Sequence, residues 1–214
     1  ENQRKMKVDY RRSQISAKKM LSNISHDIKT PMTVILGYLE IMRINGDKED
    51  EMLLKVEQKA KRVMELINQF FTLAKLEAGD MELEISRINI CEVCRENILD
   101  FYELLKQKEF QVEVKIPEEA VFIMGNKEAL HRILYNLISN VIRYGLGGRY
   151  LGLVLRSVKN DVYIDVIDKG KGIEKEFAGN VFERLFTMED SRNRRIQGNG
   201  LGLTIAQTLA QQLG

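Results

Sequence analysis

The sequence is short of several things, and each shortage removes a class of function. No apolar run approaches the ~18 residues that a membrane-crossing helix needs, and the charged opening ENQRKMKVDYRR is not followed by the apolar core of a secretory signal. This stretch of chain is therefore expected not to span a bilayer itself. Charge of one sign is also missing: 33 basic and 31 acidic residues leave a net charge of +2, interspersed and without a basic tract, so neither nucleic acid nor an anionic surface is indicated as a partner. Cysteine is limited to Cys91 and Cys94. They form a C-x-x-C in a stretch of helical pattern, with no second pair and no nearby histidine, which favours packing over zinc or redox chemistry. Internal repeats and low-complexity tracts are absent. What remains, 214 residues that are 44% hydrophobic and 30% charged, suits one or two globular domains.

Two segments differ in periodicity. Leu21, Ile24, Ile28, Pro31, Ile35, Tyr38 and Met42 step by alternating threes and fours, as do Leu53, Val56, Ala60, Val63, Ile67, Phe70 and Ala74. Each set is a heptad seam, and the polar break RINGDKED between them predicts a helical hairpin. Leu36, Leu39, Met64, Leu66 and Phe71 widen the stripe beyond what one hairpin can bury. Pairing two hairpins into a four-helix bundle, a homodimer through residues of roughly 15–77, is the expected solution.

After KLEAGDMELEI the pattern changes. FQVEVKI alternates strictly, VFIM is a short apolar run, and YLGLVLRSV and DVYIDVID flank a Lys159-Asn160 turn, as two strands of a hairpin would. Helical patterns cover 89–108, 127–143 and 201–213. Strands and helices in this irregular order predict an α+β domain, helices layered on a mixed sheet. The predicted division is 1–80 for the hairpin and 86–214 for the second domain, with a boundary between Gly79 and Ile88.

The stretch NISHDIKTPM raises a question, because a proline inside a helix removes a backbone donor and costs about 3 kcal/mol. On the heptad, His26 falls opposite the seam, where solvent is. Thr30 lies one turn on, and Asp27 is adjacent. An exposed imidazole, with a reference pKa of about 6.5, is largely neutral and has one nitrogen available for attack. A carboxylate on the other ring nitrogen would fix the tautomer and stabilise the developing imidazolium. A kink at Pro31 would open the helix to whatever must reach it. A surface histidine beside an aspartate is also commonplace, so this stretch does not decide the matter alone.

Downstream, NLISNVIRY places Asn136, Asn140 and Arg143 on one helix face with Tyr144 beside it, a face suited to a metal-bound polyphosphate and a base. DKGKGI follows a strand: Gly170 and Gly172 allow a close turn, and Asp168 is placed to accept from an exocyclic amine. GNGLGL precedes a helix, where backbone N–H groups gather an anion. No strand leads into it, so a dinucleotide fingerprint fits poorly. Singly these signals are weak, but their order is much harder to obtain by chance.

Together these stretches resemble the catalytic core of a two-component sensor histidine kinase. SHDIKTP resembles the phospho-acceptor motif, NLISNVIRY the asparagine motif, DKGKGI and GNGLGL the two glycine motifs, and VFERLF the phenylalanine motif, all in family order and together spanning nearly the whole chain. The resemblance implies that His26 takes the γ-phosphoryl group of ATP with Asp27 as its acid/base partner. It implies that Thr30 positions water for dephosphorylating the response regulator. Asn136 would bind Mg²⁺, Asn140 and Arg143 the phosphates, Tyr144 would pack on the adenine, and Asp168 would accept from its amino group. Gly170, Gly172, Gly198, Gly200, Leu201 and Gly202 would shape the loops around the nucleotide, and the segment from Phe182 to Gly198 would close over it as a lid.

The implied partners are a second copy of the chain and the receiver domain of a response regulator. The implied setting is the cytoplasmic part of a membrane-anchored receptor. Some positions depart from the family pattern. Arg143 stands for the usual lysine and Asn126 for an aspartate; Leu185 and Thr187 replace an aromatic and an arginine, for which Arg184, Arg192, Arg194 or Arg195 would substitute. The family continues beyond QQLG into further strands, so those C-terminal strands are expected outside this sequence. Two rivals stay open. A regulatory pseudokinase scaffold would bind the regulator without transferring phosphate, and an ATPase of the wider nucleotide-binding superfamily would share the asparagine and glycine motifs but not the exposed histidine.

Overall fold

The computed structural model describes residues 28, 30–42, 49–78, 81–159, 161–184, 186 and 200–214. Packing divides the chain into two compact units, Glu1–Thr72 and Leu73–Gly214.

In the first unit, α1 covers residues 30–42 and α2 runs through Glu49–Ala78. Helical residues stand on both sides of Pro31, which is itself buried. The expected seam holds on α1 at Pro31 and Ile35, but on α2 only Val63 of that seam is buried: Leu53 is 54% exposed, and the buried positions Val63, Leu66, Leu73 and Leu76 follow a stripe displaced from the expected one. The flanking apolar positions divide. Leu66 is buried, whereas Leu36, Leu39, Met64 and Phe71 stay 46–61% exposed in the single chain, the surplus apolar surface expected of a hairpin built to pair.

The second unit is an α+β arrangement. Strands β1 (Ser86–Asn89) and β3 (Phe122–Gly125) form a two-stranded antiparallel ribbon. Strands β2 (Gln111–Lys115), β4 (Tyr150–Val158) and β5 (Asp161–Asp168) form a mixed sheet in the order β2-β4-β5, with β2 parallel and β5 antiparallel to β4. Helices α3 (Ile90–Asp100), α4 (Tyr102–Gln107), α5 (Lys127–Tyr144) and α6 (Gly202–Leu213) complete it. On β5, Val162, Ile164 and Val166 pack against the core formed by Leu151, Leu153 and Leu155 of β4 with Leu134, Ile138, Val141 and Ile142 of α5, whereas on β2, the strictly alternating stretch, Val112 and Val114 stay exposed because the strand is at the sheet edge.

Two elements differ from the sequence reading. The helix expected over 89–108 breaks at Phe101, where φ −97° and ψ 0° end α3. The break lets the buried Phe101 ring lie 4.8 Å from Tyr135 of α5 while Leu105 still reaches the core. Part of the expected 79–88 linker is strand β1, whose Ile88 pairs with Ile123 and is buried. Four residues are too few for a periodic signal.

Asn126 has a structural task. Its Oδ1 accepts from the Ala129 N–H at 2.8 Å, capping α5, and its Nδ2 donates to the Glu84 carbonyl at 3.0 Å. An aspartate would keep the cap and lose the second bond. Asn126→Ala is expected to cost about 1–2 kcal/mol of stability and Asn126→Asp less, as measured by urea denaturation.

Candidate functional site

The downstream motifs lie along α5, one contact at its middle and one at its C-terminal end. Asn136 lies on the helix face turned away from the sheet and is 6% exposed. Gly202, the first residue of α6, approaches it so closely that a Cβ there would fall 3.2 Å from Asn136 Oδ1. The Asn136 Nδ2 is buried without a hydrogen-bond partner, an uncommon and costly state for an amide. Asn140, one turn on, is half-buried, and Arg143 in the last turn is exposed. Tyr144 closes the helix with its ring 37% exposed.

Asp168 ends β5 beside this helix terminus. Its Oδ1 accepts from the Gly170 N–H at 2.6 Å, which leaves Oδ2 to accept from elsewhere. Gly170 is tightly enclosed: a Cβ there would meet Asp168 Oδ1 at 2.8 Å and the Tyr144 carbonyl at 3.1 Å. Gly172, with φ +73°, and Gly200, with φ +62°, occupy the left-handed region that glycine enters freely. Both are therefore turn-forming in fact as in pattern.

The start of α6 is arranged by Leu201 and Thr204. Leu201 is wholly buried and its carbonyl accepts from the Ile205 N–H. Thr204 donates its hydroxyl to the Phe182 carbonyl at 3.0 Å, with the Gly200 carbonyl at 3.5 Å. Phe182, 39% exposed, is thus tied through its backbone to α6. The sequence reading passed over Thr204; a hydroxyl between Leu203 and Ile205 in the first turn of α6 was the available signal. It also passed over Gly145, whose Cβ would lie 3.6 Å from Asp168 Cβ.

The structure thus sets Gly202 against Asn136, Gly170 against Asp168 and Tyr144, and Phe182 and Gly200 against Thr204 of α6, while Asn140, Arg143, Gly172 and Leu201 lie in the same unit. His26, Asp27, Gly198, Leu185, Thr187, Arg192, Arg194 and Arg195 lie outside the described residues. Thr30 is exposed on α1 and Arg184 is half-buried. Among the described residues, no group of three or more His, Cys, Asp or Glu side chains could hold a metal, and no helix is long and apolar enough to cross a membrane.

The C-x-x-C is a packing pair. Cys91 and Cys94 are free thiols at 0% exposure. Burial pushes the Cys94 thiol up to about 11, with the neighbouring Cys91 adding to the effect, and a thiol that stays protonated is a poor nucleophile and ligand.

Two family models match the chain: the His Kinase A (phospho-acceptor) domain over residues 16–79, and the histidine kinase-, DNA gyrase B- and HSP90-like ATPase over 125–214. The chain is 43% identical over 218 residues to the sensor histidine kinase YcbM of Bacillus subtilis, covering all of this chain and 70% of that protein. In fold it is similar to the Acinetobacter baumannii histidine kinase AdeS, with a TM-score of 0.69 at 21% identity over 86% of this chain and 85% of that one. It is also similar to the histidine kinase ThkA in complex with the response regulator TrrA, with a TM-score of 0.67 at 20% identity, over 83% of this chain and 53% of that one.

Two outcomes follow from the geometry. Asp168→Ala is expected to speed amide hydrogen exchange at Gly170 by about tenfold, the worth of a charge-assisted hydrogen bond, read by NMR. Both cysteines are expected to resist iodoacetamide at neutral pH in the folded protein and to react fully in denaturant; alkylation of the folded chain would contradict the packing assignment.

Proposed function

The chain belongs to the sensor histidine kinases of two-component systems, protein-histidine kinases that take a phosphoryl group from ATP and pass it to a response regulator, and within that family we propose the following division of labour among its residues. His26 is the acceptor. One imidazole nitrogen attacks the γ-phosphorus; the new N–P bond forms as the bond from phosphorus to the bridging oxygen breaks, and ADP leaves. Asp27 holds the other ring nitrogen and takes up its proton. A receiver-domain carboxylate then attacks the same phosphorus, the P–N bond breaks, and Asp27 returns the proton to the other ring nitrogen so that the imidazole leaves neutral. Thr30, exposed on α1, orients water for the reverse task of dephosphorylating the regulator.

The nucleotide side rests on the cluster around α5. The observation that carries it is that α5 is approached twice along its length: at mid-helix by Gly202 of α6, against the buried Asn136 whose Nδ2 has no partner, and at its C-terminal end by Asp168 and Gly170, against Tyr144 and Gly145. Asp168 Oδ2 accepts from the adenine amino group while Tyr144 packs on the ring. Asn140 and Arg143 take the phosphates, joined by the backbone N–H groups that open α6. A single amide oxygen at Asn136 suits Mg²⁺, which is usually held by one or two protein oxygens, the phosphates and water. When bound, Mg²⁺ supplies neutralisation of the charge spread over the phosphates. Positioning is most of what such transfer asks of the protein.

The exposed apolar residues Leu36, Leu39, Met64 and Phe71 support a homodimer through the hairpin. The partner for phosphotransfer is a receiver domain, and the setting is the cytoplasmic side of a membrane-anchored receptor.

The test uses γ-labelled ATP and Mg²⁺ on the full chain. Wild type is expected to acquire label that is acid-labile and base-stable, His26→Gln to acquire none while still binding ATP, and Asn136→Ala to lose both label and nucleotide affinity. Label that persists in His26→Gln would overturn the acceptor assignment. A wild type that binds ATP and never labels would be the pseudokinase scaffold instead.

A further inference from the structure

The turn joining α5 to β4 touches the loop after β5 more closely than a side chain would permit. Gly145–Gly147 form a 3-10 turn, closed by the Gly148 and Arg149 N–H groups on the Gly145 carbonyl at 3.0 and 2.9 Å. A Cβ on Gly148 would fall 1.9 Å from the Lys169 carbonyl oxygen and 2.4 Å from its carbonyl carbon. Gly147, its neighbour, has nothing within 4 Å of the same construction. The Gly148 backbone, at φ −101° and ψ −17°, is one that any residue adopts. Glycine is required there by contact and not by conformational freedom.

Lys169 is held from its side chain as well. Its ammonium lies 3.9 Å from the centre of the Tyr150 ring, a cation–π contact. The Tyr150 hydroxyl donates to Glu113 Oε2 at 2.7 Å, and Glu113 also pairs with Lys115. Tyr150 and Glu113 stand on the paired strands β4 and β2, so the ring is anchored to the sheet. Lys169 is the residue between Asp168 and Gly170, whose N–H fixes the Asp168 carboxylate.

We propose that Gly148, with the Tyr150–Lys169 contact behind it, is a positioning device that sets the aim of Asp168 at the purine 6-amino group. Base selectivity is then determined partly by a turn that touches no ligand. The proposal rests on the assignment of Asp168 as the adenine acceptor. Displacing Lys169 shifts Asp168 and removes its bond to the base. The phosphate contacts come from α5 and α6 and are left in place.

The experiment measures binding by titration calorimetry for ATP and for the analogue that carries hydrogen in place of the 6-amino group. It uses wild type, Gly148→Ala, the control Gly147→Ala, and Lys169→Met, a surface exchange that removes the ammonium and keeps the fold. Wild type and Gly147→Ala are expected to prefer ATP by about tenfold or more, the worth of a hydrogen bond to a charged group. Gly148→Ala is expected to lose about tenfold for ATP with the analogue unchanged, and Lys169→Met about threefold with the same selectivity. A selective loss of ATP in either variant sustains the proposal. Equal losses for both nucleotides, or no loss, in every variant that folds would overturn it while leaving the ATP assignment standing. A wild type that does not distinguish the two nucleotides would overturn the role of Asp168 and this inference with it.

Discussion

The second unit depends on α5 serving two surfaces at once. Leu134, Ile138, Val141 and Ile142 commit one face to the sheet, where Leu151, Leu153 and Leu155 meet them. The opposite face is committed to Asn136, Asn140 and the approach of α6. A helix buried on both sides cannot slide along its axis or turn about it without losing core contacts worth roughly 1.5–3 kcal/mol per large side chain. The functional residues inherit that rigidity. Asn136 illustrates the cost: its Nδ2 is buried and unpartnered, a penalty of about 1–3 kcal/mol that the folded state carries because the core on the other side of the helix outweighs it.

The glycines fall into two physical kinds. Gly172 and Gly200 are needed for a left-handed backbone. Gly148 and Gly170 are needed because another part of the chain is too near for a Cβ, and Gly202 stands in a tight contact that a Cβ would press on. The second kind joins segments far apart in sequence: Gly202 to Asn136, Gly148 to Lys169, Gly170 to Tyr144. Each is a point where two backbones, or a backbone and a functional side chain, are held at a separation that a larger residue would disturb. The nucleotide end of the unit is thus built by close approach, which fixes geometry with few hydrogen bonds.

That distinction also explains what the sequence revealed. The hairpin of β4 and β5, the mixed sheet, α5 and α6 were legible because their apolar residues repeat with the period of the element. That the asparagine and glycine stretches lie near one another was legible from motif order, as the approach of Gly202 to Asn136 and of Gly170 to Tyr144 illustrates. The break at Phe101 was not, since the apolar period runs straight through it and only the stacking on Tyr135 shows why the chain turns. Strand β1 was too short to register. Gly148 carried no signal in the sequence, because the Lys169 backbone that forbids a side chain there lies far downstream and no local pattern encodes it.

The two halves of the reaction make unequal demands on structure. A loose phosphoryl transfer state has little covalent character for the protein to build. An acceptor in such a reaction needs only an accessible nucleophile, which a surface position can supply without a core of its own. A nucleotide must instead be gripped at base and phosphates together, since an error of about 1 Å at either is costly. Both units bury some apolar side chains and expose others: Leu151, Leu153, Leu201, Ile205 and Leu209 of the second unit are at 0% while its Leu99 and Met124 stand at 69% and 67%, and the hairpin buries Leu66 at 3% while Leu36 and Phe71 stand at 61% and 58%. The second unit therefore has a core supplied by its own chain, whereas the exposed face of the hairpin is surface for a second copy to complete, so that burial on α1 and α2 depends on association as well as on the chain's own packing.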